Sequence, residues 1–167
     1  MSTVMSGPRV ETEYWRLLEP WLARAAGYAR SILRDRHAAE DAVQQAALRG
    51  FERFADFDAA RPFKGWWFAI LRNCCLDALR RSRVRAAIPL DGHEPAAPVG
   101  PAPEWEALAD GMERLSPEHR EILRLRYFGE LSYRELAEAL AIPPGTVMSR
   151  LHLARHSLAE QLRKEER

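Results

Sequence analysis

Residues 86–104 read AAIPLDGHEPAAPVGPAPE, with five prolines, two glycines and few large apolar side chains. Proline lacks an amide donor and clashes with the preceding turn, so this stretch cannot continue a helix. With so little apolar surface it cannot bury a core either, and it reads as a flexible, partly extended linker. The chain is therefore predicted to fold as two bodies, residues 9–85 and 105–167. In both, apolar positions recur three and four apart, with no period-two alternation and no internal repeat. The predicted class is all-α: two small helical domains joined by a Pro-rich tether.

In the first body, Leu18, Trp21, Leu22, Ala25, Ala29 and Ile32 mark one amphipathic helix. In AAEDAVQQAALRGFERF (38–54), Val43, Ala46, Ala47, Gly50, Phe51 and Phe54 form an apolar stripe, and Asp41, Gln44, Gln45, Leu48 and Glu52 lie opposite. A loop, ADFDAARP (55–62), leads to Pro62, which suits the start of a helix. FKGWWFAILRNCCLDALRRSR (63–83) then places Phe63, Trp67, Ile70, Leu71, Cys74 and Ala78 on one side. Asn73, Asp77 and Arg80, with Trp66 in line, occupy another.

The second body opens with Trp105, Leu108, Met112 and Leu115 at helical spacing. Ser116 is a good N-cap, with Pro117 and Glu118 behind it. Gly129 is expected to stop that helix. Ser132 and Glu135 form a capping-box pattern for a short helix through Ala141, and IPPG (142–145) is a turn before a last helix. Short helix, tight turn and longer helix are the parts of a helix-turn-helix. On the last helix Val147, Leu151, Ala154 and Leu158 form a narrow inward stripe, which leaves Ser149, His152, Leu153 and His156 outside.

No stretch approaches the roughly 20 apolar residues of a membrane span, and the N-terminus lacks a signal-peptide core, so a cytoplasmic location is expected. Net charge is only +1, yet it is unevenly spread. Residues 9–85 hold 15 basic against 10 acidic side chains, and residues 104–167 hold 10 against 12. RNCCLDALRRSRVR (72–85) alone carries five arginines and one acid. Such a patch suits phosphates. Adjacent Cys74 and Cys75 are poorly placed to bridge each other and read as small packed side chains. The five histidines make no metal-ligand spacing with the cysteines, and no Gly-rich phosphate loop is present. No catalytic, metal or cofactor site is predicted.

Three surfaces stand out. The exposed strip of the last helix suits the major groove, although a solvated helical hairpin would look similar. The basic end of 63–83 combines guanidinium groups with the Asn73 amide and neighbouring aromatics, a mixture suited to unstacked single-strand bases. Arginine at a helix C-terminus also follows from the helix dipole. The acidic and amide face around Leu48 suits a protein partner.

Together these stretches resemble an extracytoplasmic-function sigma factor of bacterial RNA polymerase. AAEDAVQQAALRGFERF is similar to the family's polymerase-binding helix, and FKGWWFAILRNCCLDALRRSR to its promoter −10 segment. LSPEHREILRLRYFGELSYRELAEALAIPPGTVMSRLHLAR (115–155) resembles its −35-binding helix-turn-helix. The likeness spans residues 14–163. It implies a non-enzymatic initiation subunit that partners core polymerase, through the β′ clamp helices and the β flap, and promoter DNA. An anti-sigma factor is a further implied partner, and the free chain is expected to be a monomer without membrane attachment. By resemblance Glu40, Asp41, Gln44, Gln45 and Leu48 contact polymerase. Phe57, Arg61, Trp66, Arg72, Asn73, Arg80, Arg81 and Arg83 serve the −10 element. Thr146, Met148, Ser149, Arg150, His152, Leu153 and Arg155 face the −35 duplex. Met148 and Leu153 replace a basic residue and an arginine common in the family, which removes two phosphate anchors. Competing readings are a sigma-like decoy for an anti-sigma factor and a stand-alone helix-turn-helix regulator.

Overall fold

A computed structural model describes residues 8–87 and 103–165. Every regular element among the described residues is helical. Pro8–Leu18 (α1), a 3-10 turn at Glu19–Trp21, Leu22–Leu33 (α2), Arg36–Arg53 (α3) and Phe63–Ala87 (α4) make the N-terminal module. Pro103–Glu113 (α5), Pro117–Tyr127 (α6), Tyr133–Leu140 (α7) and Pro144–Glu165 (α8) make the C-terminal one. Helix α4 takes up the first two residues of the 86–104 stretch and α5 the last two; residues 88–102 lie outside the described residues. The single stripe expected across Leu18 to Ile32 is two helices. Pro20 sits in the 3-10 turn between them, where its missing amide breaks the helical ladder.

Local capping interactions set the ends of these helices. Asp35 caps α3 by accepting from the Ala38 amide at 2.6 Å. Ser116 and Ser132 cap α6 and α7, the latter in a reciprocal capping box with Glu135. Helix α6 ends at Tyr127, just ahead of Gly129 as expected. The left-handed residue after α6 is Glu130 (φ 53°), whereas Gly129 is a matter of space. A Cβ there would lie 2.7 Å from the Leu125 carbonyl and 2.9 Å from Phe68.

The N-terminal core is built on Tyr14, Trp67, Phe68 and Leu71, all without solvent exposure. Tyr14 Oη donates to the Ala47 carbonyl at 2.7 Å and accepts from Trp67 Nε1 at 3.0 Å, so neither buried polar group is orphaned. Burial pushes the Tyr14 hydroxyl up to about 12. Gly50 lets the three helices meet, since a Cβ there would lie 2.5 Å from Tyr14 Oη. In the C-terminal module Ile122, Leu125, Leu136, Val147 and Leu151 form the core. Cys74 and Cys75 are buried free thiols, and burial raises that of Cys75 to about 12, which makes it a poor nucleophile.

The modules pack directly on each other, which the sequence analysis did not anticipate. Helix α4 lies between α3 and α7. At Gly65 the backbones come so close that an added Cβ would stand 2.7 Å from the Glu135 carbonyl oxygen and 2.9 Å from Glu138 Cβ. Beside it Lys64, 6% exposed, donates to the Glu130 carbonyl at 2.7 Å and sits 4.2 Å above the Trp21 ring. Desolvation lowers the Lys64 pKa, with Glu135 and Glu130 acting against it.

Candidate nucleic-acid and polymerase interfaces

Helix α3 places Ala39, Ala42, Ala46 and Ala47 inward and leaves Glu40, Asp41, Gln44, Gln45 and Leu48 facing solvent. Leu48 is 58% exposed in the middle of this polar face, the arrangement of a small apolar anchor within a polar rim. Glu40 accepts from Arg36 Nε at 2.8 Å along the same helix, and that hydrogen bond lowers its pKa.

The −10 candidates split into inward and outward groups. Phe57 stacks against Phe54 and lies 4.7 Å from Trp66, ring centre to ring centre, with Phe63 beside both. This aromatic wall braces the loop from Phe57 to Pro62. Within the loop Asp58 accepts from the Ala60 amide at 2.9 Å, which fixes a tight turn. Asn73 is exposed on α4, and Arg72 Nη1 reaches its Oδ1 at 3.4 Å. Arg80, Arg81 and Arg83 are exposed beyond it, Arg80 also meeting Asp77 at 3.3 Å. Arg61 and Arg72 are not free. Arg61 forks onto Glu138 of α7, its Nε at 2.9 Å, and Arg72 pairs with Glu121 of α6.

The −35 candidates lie on α8. Val147, Leu151 and Ala154 are buried, as the periodicity predicts, and Ser149, His152, Leu153 and Arg155 are exposed. Met148 and Leu153 are 59% and 55% exposed, so two apolar side chains do stand in the strip. Thr146 is half-buried, and its carbonyl accepts from Ser149 Oγ at 3.1 Å. Arg150 approaches Glu118 at 3.6 Å, and Arg155 donates to Tyr127 Oη at 2.9 Å.

Sequence reasoning missed Lys64, Gly65, Glu121, Arg134 and Glu138, the residues that join the modules. Gly65 carried a usable signal. A glycine in a helix costs about 1 kcal/mol relative to alanine, so its presence in α4 points to a close backbone approach.

Comparison with known proteins follows the same division. The family model for sigma-70 region 2 matches residues 17–85, and that for sigma-70 region 4 matches residues 105–158. These are the two parts of a sigma-70-type initiation factor. SigL of Mycobacterium tuberculosis, an ECF RNA polymerase sigma factor, is 34% identical over 138 residues, covering 78% of each chain. SigW of Bacillus subtilis is 30% identical over 143 residues, covering 76% of each. The chain belongs to the ECF sigma factors of RNA polymerase: it is a transcription-initiation subunit and not an enzyme. Among solved structures, CnrH in complex with the cytosolic domain of CnrY superposes with a TM-score of 0.69 at 24% identity, over 92% of this chain and 90% of that one. RpoE of Bartonella quintana, in complex with the anti-sigma factor NepR, gives 0.68 at 24%, over 91% and 98%. Both support the fold.

Proposed function

We propose that the work of initiation is divided among three surfaces. The α3 face with Glu40, Asp41, Gln44, Gln45 and Leu48 docks on the clamp helices of polymerase β′, and the C-terminal module meets the β flap. Helix α4 and the Phe57–Pro62 loop take the −10 element, with Asn73 as one wall of the pocket for an unpaired base. Arg61, Arg72, Arg80, Arg81 and Arg83 hold the neighbouring backbone. Unstacking a base costs a few kcal/mol, and a shaped polar pocket offsets that cost. Helix α8 reads the −35 duplex with Ser149, His152 and Arg155, while Met148 and Leu153 offer apolar contact to thymine methyl groups.

The observation that carries this reading is the exposed Asn73 amide on a helix whose next turns supply three exposed arginines. No helix among the described residues is long and apolar enough to cross a membrane, which fits action in the cytoplasm. An anti-sigma factor is a further proposed partner, as NepR is for RpoE of Bartonella quintana. Asn73→Ala tests the division of labour. It should leave polymerase binding unchanged and lower open-complex formation roughly 5- to 100-fold, the value of one or two hydrogen bonds to a desolvated base. Permanganate footprinting of the melted region reads the second quantity. Equal loss of polymerase binding and opening would refute the assignment.

A further inference from the structure

Five ion pairs cross between the modules among the described residues, and all five have the same polarity. Arg24, Arg34, Arg61, Lys64 and Arg72 of the N-terminal module face Glu130, Glu113, Glu138, Glu135 and Glu121 of the C-terminal one. Two of these cations, Arg61 and Arg72, are those assigned above to the −10 backbone. The loop that would receive the strand is gripped as well, because Arg134 of α7 donates to the Ala60 carbonyl at 3.0 Å. Meanwhile the α3 face and the α8 strip stay open to solvent. Closure is therefore selective: the C-terminal module lies over the −10 loop and leaves the other two surfaces free.

We propose that the C-terminal module is an intramolecular competitor of the −10 strand. The carboxylates of Glu121 and Glu138 occupy the guanidinium groups that strand phosphates would take, and α7 covers the loop. Strand capture then requires the modules to part along the α4–α7 seam, where Gly65 meets Glu135 and Glu138. The free chain can dock on polymerase through α3 while still closed, and the strand site is uncovered afterwards. This inference rests on the reading of Arg61 and Arg72 as strand contacts.

The seam provides a charge-neutral test. Gly65→Leu inserts a side chain where backbone now stands, so it wedges the modules apart while favouring helix within α4. Glu121→Gln with Glu138→Gln removes the competing charges instead, and Glu11→Gln with Glu19→Gln repeats that charge change away from the seam. Inter-module separation is read from a probe pair placed at exposed Glu52 and Glu160. Strand affinity is read with a short fluorescent oligodeoxythymidine, whose backbone stands in for that of the −10 strand.

Each phosphate contact is worth about threefold at moderate salt, so freeing two should tighten strand binding about tenfold. Both seam variants should show wider separation and this gain, and the control pair should show neither. Adding Arg61→Ala and Arg72→Ala to Gly65→Leu should abolish the gain. A wild-type chain already as open as Gly65→Leu would overturn the closure itself. Wider separation with unchanged strand affinity would instead overturn the strand role of the two arginines, and the competition with it.

Discussion

Helices α4 and α8 are the two long helices proposed to meet promoter DNA, and they differ in how many of their sides are covered. Helix α8 buries one narrow stripe on its own module and leaves a continuous strip for a duplex. Helix α4 is enclosed by its own module on one side and by α7 on the other. Phe68, Trp67, Leu71 and Cys75 have no exposure, and only a strip through Asn73 and the terminal arginines is open. A duplex reader can be a rigid, one-sided surface. A strand reader needs a site that is shaped in advance yet closed to idle contacts, and the second cover over α4 supplies that closure.

If that contrast is sound, the two helices should respond unequally to truncation. Phe68→Ala, at the junction of α2, α4 and the loop at Gly129, should cost about 3–5 kcal/mol in denaturant unfolding. Met148→Ala on α8 should stay within about 0.5 kcal/mol. Similar losses would erase the distinction between an enclosed and a one-sided helix. A smaller effect is expected from Gly50→Ala, which crowds Tyr14 and Trp67 and should destabilise by about 1–3 kcal/mol, with the Trp67 fluorescence environment altered. The smallest is at Leu153→Arg. It restores a phosphate anchor, so −35 duplex binding should tighten about threefold and its log–log salt slope should steepen by about 0.9. An unchanged slope would place Leu153 away from the duplex.

The same contrast explains what could be read in advance. Helix α8 was legible because only its own module covers it, so its burial has the 3.6 period and its stripe of Val147, Leu151 and Ala154 emerges from spacing alone. The caps at Ser116 and Ser132 were legible because their hydrogen bonds are local. On α4 the stripe through Trp67, Leu71 and Cys74 was visible, and the second buried side was not. Lys64, Gly65 and Phe68 are covered by residues more than 60 positions away, a distance that no local periodicity reports. The break at Pro20 was missed because apolar positions continue across the 3-10 turn with helix-like spacing. Of the candidate site residues, outward placement was predictable wherever the helix is one-sided. The ion pairs that engage Arg61 and Arg72 were not, since their partners Glu138 and Glu121 look like ordinary solvated helix charges.

The central claim is that this chain directs polymerase to promoters through two separated DNA contacts. Its most direct test is 5′-end sequencing of RNA made on host genomic DNA by core polymerase supplemented with the full chain. The account predicts new start sites that share two upstream elements at a fixed spacing, near −10 and near −35. Polymerase that binds the folded chain and yet begins RNA at no new site would contradict it.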